Sequence, residues 1–555
     1  MTPRAVALAV VLIAGAGCGP SGARDGGPVR LTLLGTTDVH GHLLPYDYAT
    51  DTPRDGSLAQ VATLVDSIRR TDPHTLLFDS GDLLQGTPLD EYSARVAHDS
   101  IHPVIAAMNS LRYDAAAIGN HEFNYGVPFL DRSLRAARFP FLAANIYREG
   151  VDSLAYRPYV LLDAGDVRIG VLGFTTPGVR IWDRANISGR LRFEDIVASA
   201  RRWVPKLREA GADIVVVLAH SGLGPGSSYS ETTGVPEENA VSRLAREVPG
   251  IDVIFAGHSH TAIPGRRIGG ALILQAYRFA ARLAVAHLTV RFEGSTARVV
   301  EDRGELLTVD AVSASPEIER VAADAHRRTL AWLREPIATT PDHWSAASGR
   351  IEDTPIVDLI EEVERAVSGA DLASASVFRP AASFGPGAIT RRDILGLYVY
   401  PNTLKAVRIS GRDLRAYLER SAAYYRDYPA ARLVDDSVPG YNFDTVSGVD
   451  YTLDLRRPRG ERVADLRYRG RPVAPADSFV LAVNNYRQSG GGGFQMIADA
   501  PVVFSTETPV SQLLIDYIRR RDTLRATDVF RRNWRILPAA AVRQLKHEAA
   551  AATAH

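Results

Sequence analysis

The chain has 555 residues, which is too long for a single hydrophobic core and predicts two domains. Lys and Arg number 64 and balance the 64 Asp and Glu residues, which argues against a strongly basic nucleic-acid-binding protein and against an acidic tail. An apolar content of 46% with 23% charged residues is typical of a globular protein.

The N-terminal residues have the layout of a secretion signal. Arg4 precedes an apolar run from Ala5 to Ala14, and small residues follow up to Cys18, the only cysteine. The run is too short to span a bilayer. Cys18 resembles the lipid-attachment site of bacterial lipoproteins, although Gly15 stands where leucine is usual; a plain signal peptide cut nearby is the alternative. We therefore expect an exported periplasmic or cell-envelope lipoprotein, with residues 1–28 as signal, anchor and tether.

From Val29 onward the sequence repeats one pattern, an apolar strand-like run that ends in polar side chains able to bind metal. Five segments follow it: VRLTLLGTTDVHGH, TLLFDSGD, AAAIGNHE, DIVVVLAHSG and DVIFAGHSH. Between the first two, apolar residues recur at helical spacing from Leu58 to Ile68, which predicts an amphipathic helix. Strands that alternate with helices indicate an α/β domain, in which functional residues gather beyond the carboxyl ends of the strands. We therefore expect the five polar clusters to meet along one edge.

The pattern changes near residue 304, where a polar, helix-prone stretch begins. A second α/β-patterned region follows it, and the last residues are rich in alanine and are either a marginal helix or disordered. The predicted organisation is a catalytic domain at 29–303, a helical linker at 304–340, a C-terminal domain at 341–537 and an alanine-rich tail at 538–555.

The polar clusters supply a set of oxygen and nitrogen donors. Asp38 and His40 lie two apart, as do His258 and His260, so each pair projects to one face of an extended segment. The candidate metal ligands are Asp38, His40, Asp82, Asn120, His220, His258 and His260. Such a mixed set suits two divalent ions drawn from Mn²⁺, Co²⁺, Zn²⁺ or Fe²⁺, whereas a zinc site built from thiolates is excluded.

Each motif alone is weak evidence for a metal site. GNHEFNYG, for example, is also compatible with a turn that carries a solvated histidine. The five clusters in this order, DxH, GD, GNH(E), H and GHxH, resemble the calcineurin-like metallophosphoesterase superfamily, and every ligand position of that pattern is filled. The resemblance implies a four-layer α-β-β-α fold and two ions bridged by Asp82. It further implies one ion site completed by Asp38, His40 and His260, and another completed by Asn120, His220 and His258.

Two adjacent ions can hold a hydroxide, polarise a phosphoryl oxygen and steady an in-line displacement. The resemblance makes His121 the candidate to contact the phosphoryl group or to protonate the leaving oxygen. In 5′-nucleotidases an aspartate pairs with this histidine, whereas Asn124 occupies the position here. An amide can orient His121 but cannot stabilise an imidazolium as a carboxylate does. We expect His121 and Asn124 to serve catalysis and Glu122 to anchor the loop.

The second half of the chain is expected to select the substrate. The segments LYVYPN, PGYNFD and NNYRQSGGGGFQM place tyrosines beside turns, where two exposed rings can sandwich a planar base. The alternative is that Tyr400 and Tyr486 are core aromatics. The order of these segments resembles the α+β substrate-binding domain of the two-domain nucleotidases. That resemblance implies that Tyr400 and Tyr486 clamp the base, and that Arg379 and Asn402 contact the ligand.

Within that family, TTDVHGHLLPYDYATDT, YPNTLKAVRISG and YNFDTVSGVDY look like the bacterial 2′,3′-cyclic-nucleotide 2′-phosphodiesterase/3′-nucleotidase branch. Asn124 and Gly492 both depart from the 5′-nucleotidases, which carry at the second position an aspartate that grips the free ribose hydroxyls. The resemblance implies hydrolysis of 2′,3′-cyclic nucleotides to 3′-nucleotides, and of these to nucleoside and phosphate, by a metal-bound hydroxide.

Two alternatives to this function remain open: a 5′-nucleotidase or nucleotide-sugar hydrolase, and a catalytically silent nucleotide-binding surface protein. The sequence contains no phosphate-binding GxxxxGK loop and no basic groove interleaved with aromatics. We therefore expect a small nucleotide as the substrate, no polynucleotide partner, and a monomer that contacts a membrane only through Cys18.

Overall fold

The computed structural model describes residues 27–98, 100–227, 229, 233–294, 296–400 and 402–553. Cys18 and the predicted export signal lie outside these residues. Within the described ranges, no helix combines the length and the apolar character that crossing a membrane requires.

The N-terminal half contains strands β1 (Val29–Thr36), β2 (Tyr46–Asp47), β3 (Thr52–Pro53), β4 (Thr75–Asp79), β5 (Ala115–Ala117), β6 (Phe141–Leu142), β7 (Ile146–Arg148), β8 (Tyr159–Ala164), β9 (Val167–Thr175), β10 (Leu191–Phe193), β11 (Ile214–His220), β12 (Val253–Ala256), β13 (Ala262–Ile268), β14 (Ala271–Ala276), β15 (Arg282–Glu293) and β16 (Thr296–Thr308). Its helices are α1 (Leu58–Thr71), α2 (Pro88–Arg95), α3 (Pro103–Ser110), α4 (Val127–Ala136), α5 (Val179–Trp182), α6 (Arg184–Ile187), α7 (Ile196–Glu209), α8 (Val241–Glu247) and α9 (Pro316–Leu333).

Two six-stranded sheets form the centre of this half. Their strand orders are β16-β15-β1-β4-β5-β6 and β13-β14-β12-β11-β9-β8. Apolar residues from both sheets, among them Leu33, Phe78, Leu218 and Phe255, form one buried core between them. Helices α1, α3 and α9 pack through a second core beside the first sheet, and α7 and α8 pack through a third core beside the other. The predicted four-layer α-β-β-α fold is confirmed.

The helix predicted between the first two strand-like runs is α1. The Ser57 hydroxyl accepts a hydrogen bond from the Gln60 N–H at 3.2 Å and so caps the N-terminus of the helix. Leu58, Val61 and Val65 are buried on one face, as the spacing predicts.

The C-terminal half contains strands β17 (Pro336–Thr340), β18 (Trp344–Ser345), β19 (Leu372–Ser376), β20 (Ser383–Phe384), β21 (Gly387–Thr390), β22 (Thr403–Ser410), β23 (Asp444–Ser447), β24 (Asp450–Asp454), β25 (Val463–Tyr468), β26 (Arg471–Pro472), β27 (Ser478–Asn484), β28 (Val502–Pro509) and β29 (Trp534–Leu537). Its helices are α10 (Pro355–Ser368), α11 (Arg391–Leu397), α12 (Gly411–Ala422), α13 (Asn485–Gln488), α14 (Val510–Arg519), α15 (Ala526–Val529) and α16 (Ala539–Thr553).

A five-stranded sheet of order β23-β19-β27-β22-β28 organises this half. One apolar core joins it to α10, α11 and α14. A second core joins it to α12, α16 and the four-stranded sheet β26-β25-β24-β29. This mixed arrangement confirms the predicted α+β class of the C-terminal domain.

The segments predicted as linker and tail both pack against the folded halves. Residues 304–308 continue β16, and Ile318 and Leu333 of α9 are buried in the same core as α1 and α3. The alanine-rich tail forms α16, in which Ala541 and Leu545 are buried. The exact domain bounds stay a prediction.

Candidate metal centre and nucleotide site

The candidate metal ligands follow strands of both central sheets. In the first sheet β1, β4 and β5 run parallel, and in the second β11 runs parallel to β12. The carboxyl ends of these strands therefore point to one edge, where Asp38 and His40 follow β1, Asp82 follows β4, Asn120 follows β5, His220 ends β11, and His258 and His260 follow β12. The structure brings all seven side chains together there.

Asp38, His40 and His260 form the first group of possible ligands. The Nε2 atoms of His40 and His260 lie 3.1 Å apart, and His260 Nε2 lies 3.4 Å from Asp38 Oδ1. Asp38 is fully buried, and its two carboxylate oxygens accept the backbone N–H of His258 at 3.0 and 3.1 Å. The loops that carry the first group are therefore joined directly.

Asp82, His220 and His258 form the second group, together with Asn120. Asp82 Oδ2 lies 3.1 Å from His220 Nε2, and Asn120 Oδ1 lies 2.9 Å from both His220 Nε2 and His258 Nδ1. The same Asp82 oxygen lies 3.7 Å from His40 Nε2 of the first group. Asp82 thus stands between the two groups, the position that a bridging carboxylate requires.

Hydrogen bonds outside the cluster orient three of the histidines. The carbonyl oxygens of Gln85 and Ser80 lie 2.9 Å from His40 Nδ1 and 2.8 Å from His220 Nδ1, so each Nδ1 donates. His258 Nε2 donates to Glu238 Oε1 at 2.7 Å. The other nitrogen of each ring faces the cluster, where it can coordinate a metal ion that displaces any hydrogen it carries. The residues present therefore fit two divalent cations.

The carboxylate of Asp82 and the imidazole of His220 carry opposite charges at this buried edge of the sheets. Burial alone would raise the pKa of Asp82, but His220 and His121 outweigh it and hold that pKa well below its usual range. Burial alone would lower the pKa of His220, but the Asp82 carboxylate raises it to about 10. Burial lowers the pKa of His40 to about 4. Burial alone would also raise the pKa of Asp38, but the hydrogen bond with His260 and the charge of His220 hold it below its usual value, so two ionised carboxylates face the histidine nitrogens.

Glu122 anchors the loop, as predicted. Its carboxylate accepts the backbone N–H groups of Gly119 at 2.6 Å and of Asp82 at 2.9 Å. Two glycines allow this close approach. A Cβ atom on Gly81, whose φ is +96°, would lie 2.6 Å from Gly119 N, and a Cβ atom on Gly119 would lie 2.3 Å from Asp82 Oδ1.

His121 lies beside the candidate metal ligands. Its Nε2 atom is 4.0 Å from Asp82 Oδ2, and its side chain is 37% exposed. Its Nδ1 atom lies 2.7 Å from Asn124 Oδ1, so Asn124 orients the ring as expected. Burial alone would lower the pKa of His121, but the charge of Asp82, the hydrogen bond that His121 donates to Asn124 and the charge of Asp183 raise it above its usual value.

Three further residues support the site, and no motif in the sequence indicates them. Glu238 holds His258, Asp183 accepts from Asn124, and the Trp182 ring stacks on His258 with 5.4 Å between ring centroids. All three lie in connections between strands, at positions that only the tertiary fold brings to the site.

The candidate substrate residues lie in the C-terminal half. Tyr400 and Tyr486 are each 43% exposed, so neither is a core aromatic. Phe378 supports Tyr400 edge to face at 5.0 Å, and Tyr441 lies 6.4 Å from it between ring centroids. Exposed rings of this kind are available to stack on a base.

Arg379 and Asn402 are both partly buried, and Asn402 lies two residues after Tyr400. Arg379 follows Phe378 directly, and the Asn402 carbonyl accepts the backbone N–H of Val510 at 2.9 Å, which fixes it beside α14. Their contact with a ligand stays a prediction.

A buried arginine connects the loops around Tyr486. The Arg487 guanidinium donates to Asp444 Oδ2 at 2.7 Å, to Asn442 Oδ1 at 3.1 Å and to the Gly491 carbonyl at 3.2 Å. Arg487 is only 2% exposed. This network fixes the glycine loop against the PGYNFD segment.

The fold and the donor cluster at the common edge of its two sheets define a metallophosphoesterase. A family model described as calcineurin-like phosphoesterase matches residues 31–262, and one described as the 5′-nucleotidase C-terminal domain matches residues 336–499.

Similar proteins narrow the class. A 2′,3′-cyclic-nucleotide 2′-phosphodiesterase/3′-nucleotidase from Yersinia enterocolitica is 32% identical over 88% of this chain and 85% of its own length. The trifunctional nucleotide phosphoesterase protein YfkN of Bacillus subtilis is 30% identical over 92% of this chain, which spans only 39% of that protein. The crystal structure of a 5′-nucleotidase precursor from Thermus thermophilus has a TM-score of 0.56 at 25% identity and covers 92% of this chain and 99% of its own.

The chain belongs to the 2′,3′-cyclic-nucleotide 2′-phosphodiesterase/3′-nucleotidase branch of the two-domain 5′-nucleotidase family. It is a phosphoric ester hydrolase that acts on nucleotides, and its fold implies divalent metal ions.

We expect metal ions to stabilise the protein through Asp82. At a Mn²⁺ concentration of about 100 times the dissociation constant, binding to the folded state alone adds about 2.7 kcal/mol of stability. Differential scanning fluorimetry should show a rise in Tm with Mn²⁺ that a chelator reverses. Asp82→Asn should lose most of this rise, while Asp131→Asn, a partly buried carboxylate of α4 outside the cluster, should keep it. An unchanged rise in Asp82→Asn would show that Asp82 does not bridge the ions.

Proposed function

We propose that the protein hydrolyses 2′,3′-cyclic nucleotides to 3′-nucleotides and then 3′-nucleotides to nucleoside and phosphate. In the first step water adds to phosphorus and the bond from phosphorus to the 2′ oxygen breaks. In the second step another water adds to phosphorus, the bond from phosphorus to the 3′ oxygen breaks, that oxygen takes a proton, and inorganic phosphate leaves. The assembly of the six other candidate ligands around Asp82 is the observation that carries this proposal.

Two divalent ions are the cofactors that this proposal requires. Asp38, His40 and His260 would hold one, Asn120, His220 and His258 would hold the other, and Asp82 would contact both. When bound, the ions polarise the phosphoryl oxygens and lower the pKa of the attacking water. The donor set suits Mn²⁺, Co²⁺, Zn²⁺ or Fe²⁺.

His121 is the proposed proton donor to the leaving ribose oxygen. Its Nδ1 atom is occupied by Asn124, so Nε2 is the nitrogen that gives and takes the proton. That nitrogen faces the cluster beside Asp82. A positioned histidine of this kind contributes about 10²- to 10⁴-fold to the rate of a reaction that needs proton transfer.

The nucleoside part of the substrate is proposed to bind in the C-terminal half. Tyr400 and Tyr486 would stack on the base, which suits any base because every base has an aromatic face. Arg379 and Asn402 would contact the nucleotide beside them. The exposure of both tyrosines supports this role.

The preference for 2′ and 3′ esters is proposed to depend on the glycine loop. Gly492 has a φ of +74°, and a Cβ atom there would lie 2.3 Å from Asn442 Oδ1 and 2.8 Å from Arg487 Nη1. The space into which an aspartate would project is therefore filled by Asn442. A carboxylate that grips a free ribose diol is not needed when one of these oxygens carries the phosphate.

We also propose that the protein is exported and anchored through a lipid on Cys18. The apolar run from Ala5 to Ala14 and the small residues before Cys18 support this proposal. Mass spectrometry of the mature N-terminus tests it, because a diacylated Cys18 supports anchoring and an unmodified N-terminus beyond residue 18 contradicts it.

The proposed activity is tested with 2′,3′-cyclic AMP, 3′-AMP and 5′-AMP in parallel, with Mn²⁺ or with a chelator. We expect metal-dependent release of 3′-AMP and adenosine from the first substrate, of adenosine and phosphate from the second, and little turnover of the third. Preference for 5′-AMP would instead indicate a 5′-nucleotidase. No turnover of any substrate with metal present would indicate a silent nucleotide-binding protein.

Gly492→Asp should not create a 5′-nucleotidase. The new side chain would collide with Asn442 and Arg487 and would also require an unfavourable left-handed backbone, so we expect a lower Tm and weaker turnover of 3′-AMP. Adding Asn442→Ala should recover part of the Tm because it removes the nearest atom. Efficient hydrolysis of 5′-AMP by Gly492→Asp alone would contradict this account of specificity.

A further inference from the structure

A chain of polar side chains extends behind His121. The Asn124 amide nitrogen donates to Asp183 Oδ1 at 3.0 Å and to Asp183 Oδ2 at 3.1 Å, while Asn124 Oδ1 lies 2.7 Å from His121 Nδ1. The Asn186 amide nitrogen also donates to Asp183 Oδ1, at 3.0 Å. Asp183 is only 1% exposed, between α5 and α6.

The Asp183 carboxylate determines which way the Asn124 amide points. Its oxygens accept hydrogen bonds, so they attract the NH₂ group of Asn124 and repel its carbonyl oxygen. The Asn124 carbonyl must then face His121, and because a carbonyl only accepts, His121 Nδ1 must carry a hydrogen. With the amide turned over, an N–H would face Nδ1 and favour the opposite tautomer.

We propose that Asp183 is a positioning residue for the reaction, which acts through the Asn124 amide to keep the hydrogen of His121 on Nδ1. The Nε2 atom is then the only nitrogen of this ring that exchanges a proton, and it lies on the side of Asp82. In place of a direct contact between histidine and carboxylate, the protein has one amide inserted between them. This inference rests on the proposed role of His121 as proton donor.

The surrounding segment supports a role at the site. Trp182, the neighbour of Asp183, stacks on the His258 ring. The Asn186 side-chain amide donates to the backbone carbonyl of Asn124 at 3.2 Å as well as to the Asp183 carboxylate. The residues from Trp182 to Asn186 thus contact both His258, which is proposed to bind metal, and Asn124, which lies behind the histidine proposed to transfer the proton.

An exchange of the two side chains tests the inference. Asp183→Asn leaves the Asn124 amide free to turn over, and we expect kcat for 3′-AMP to fall roughly 10- to 100-fold with little change in KM. Asn124→Asp places two carboxylates in contact and should also lower kcat. The double variant Asn124→Asp/Asp183→Asn again places an amide NH₂ against a carboxylate and an acceptor against His121. The kcat of the double variant for 3′-AMP should therefore be about tenfold higher than that of Asn124→Asp.

A second substrate separates positioning from general structural damage. p-Nitrophenyl phosphate has a good leaving group that needs no proton, so Asp183→Asn should change its turnover by less than about threefold. Asp131→Asn is the matched control, and it should leave the turnover of both substrates unchanged. The inference would be overturned if Asp183→Asn lowered the turnover of both substrates equally. It would also be overturned if the double variant had a kcat no higher than that of Asn124→Asp.

A spectroscopic measurement decides the inference independently of turnover. In protein labelled with ¹⁵N-histidine, with His121→Gln used for assignment, the ring shifts of neutral His121 should report hydrogen on Nδ1, and Asp183→Asn should lose this preference. An unchanged tautomer in Asp183→Asn would overturn the inference. Failure of the wild-type protein to hydrolyse any nucleotide would overturn the proposed function, and the tautomer measurement would still decide the role of Asp183.

Discussion

One buried carboxylate, that of Glu122, holds together the two loops on which the metal centre depends. It accepts backbone N–H groups from Gly119, Asp82 and Leu84, at 2.6, 2.9 and 3.2 Å. These groups lie beyond the ends of β4 and β5, and a buried N–H without a partner costs about 1–3 kcal/mol. Glu122 therefore fixes the distance between Asp82, which is proposed to contact both ions, and Asn120, which is proposed to hold one of them.

The loops that carry the candidate ligands also have a strained backbone, which helps to bring their side chains together. Asp38, His40, Asp82, His258 and His260 all have positive φ angles, between 48° and 70°. Such conformations cost about 1–3 kcal/mol each and persist where the surrounding structure enforces them. Hydrogen bonds of 2.9 Å from Asp38 N to the Gly81 carbonyl and from His40 N to the Asp82 carbonyl provide that enforcement. A short run of residues after each strand can then turn its side chain into one shared cluster.

The sequence predicts those features that depend on local spacing. Asp38, His40, His258 and His260 stand directly after apolar runs, so the convergence of parallel strand ends predicts where they meet. Asp183 and Glu238 cannot be found in this way, because they reach the site from long connections whose course depends on tertiary packing. Gly492 shows an intermediate case: the sequence reveals the missing carboxylate, and only the structure shows that Asn442 fills its space.

We propose that side chains from five strand ends form one centre for two ions. A crystal soaked or grown with Mn²⁺ and measured near the manganese absorption edge locates those ions. Two anomalous peaks should appear, one beside Asp38, His40 and His260 and the other beside Asn120, His220 and His258, with Asp82 between them. A single peak, or peaks away from Asp82, would contradict the account.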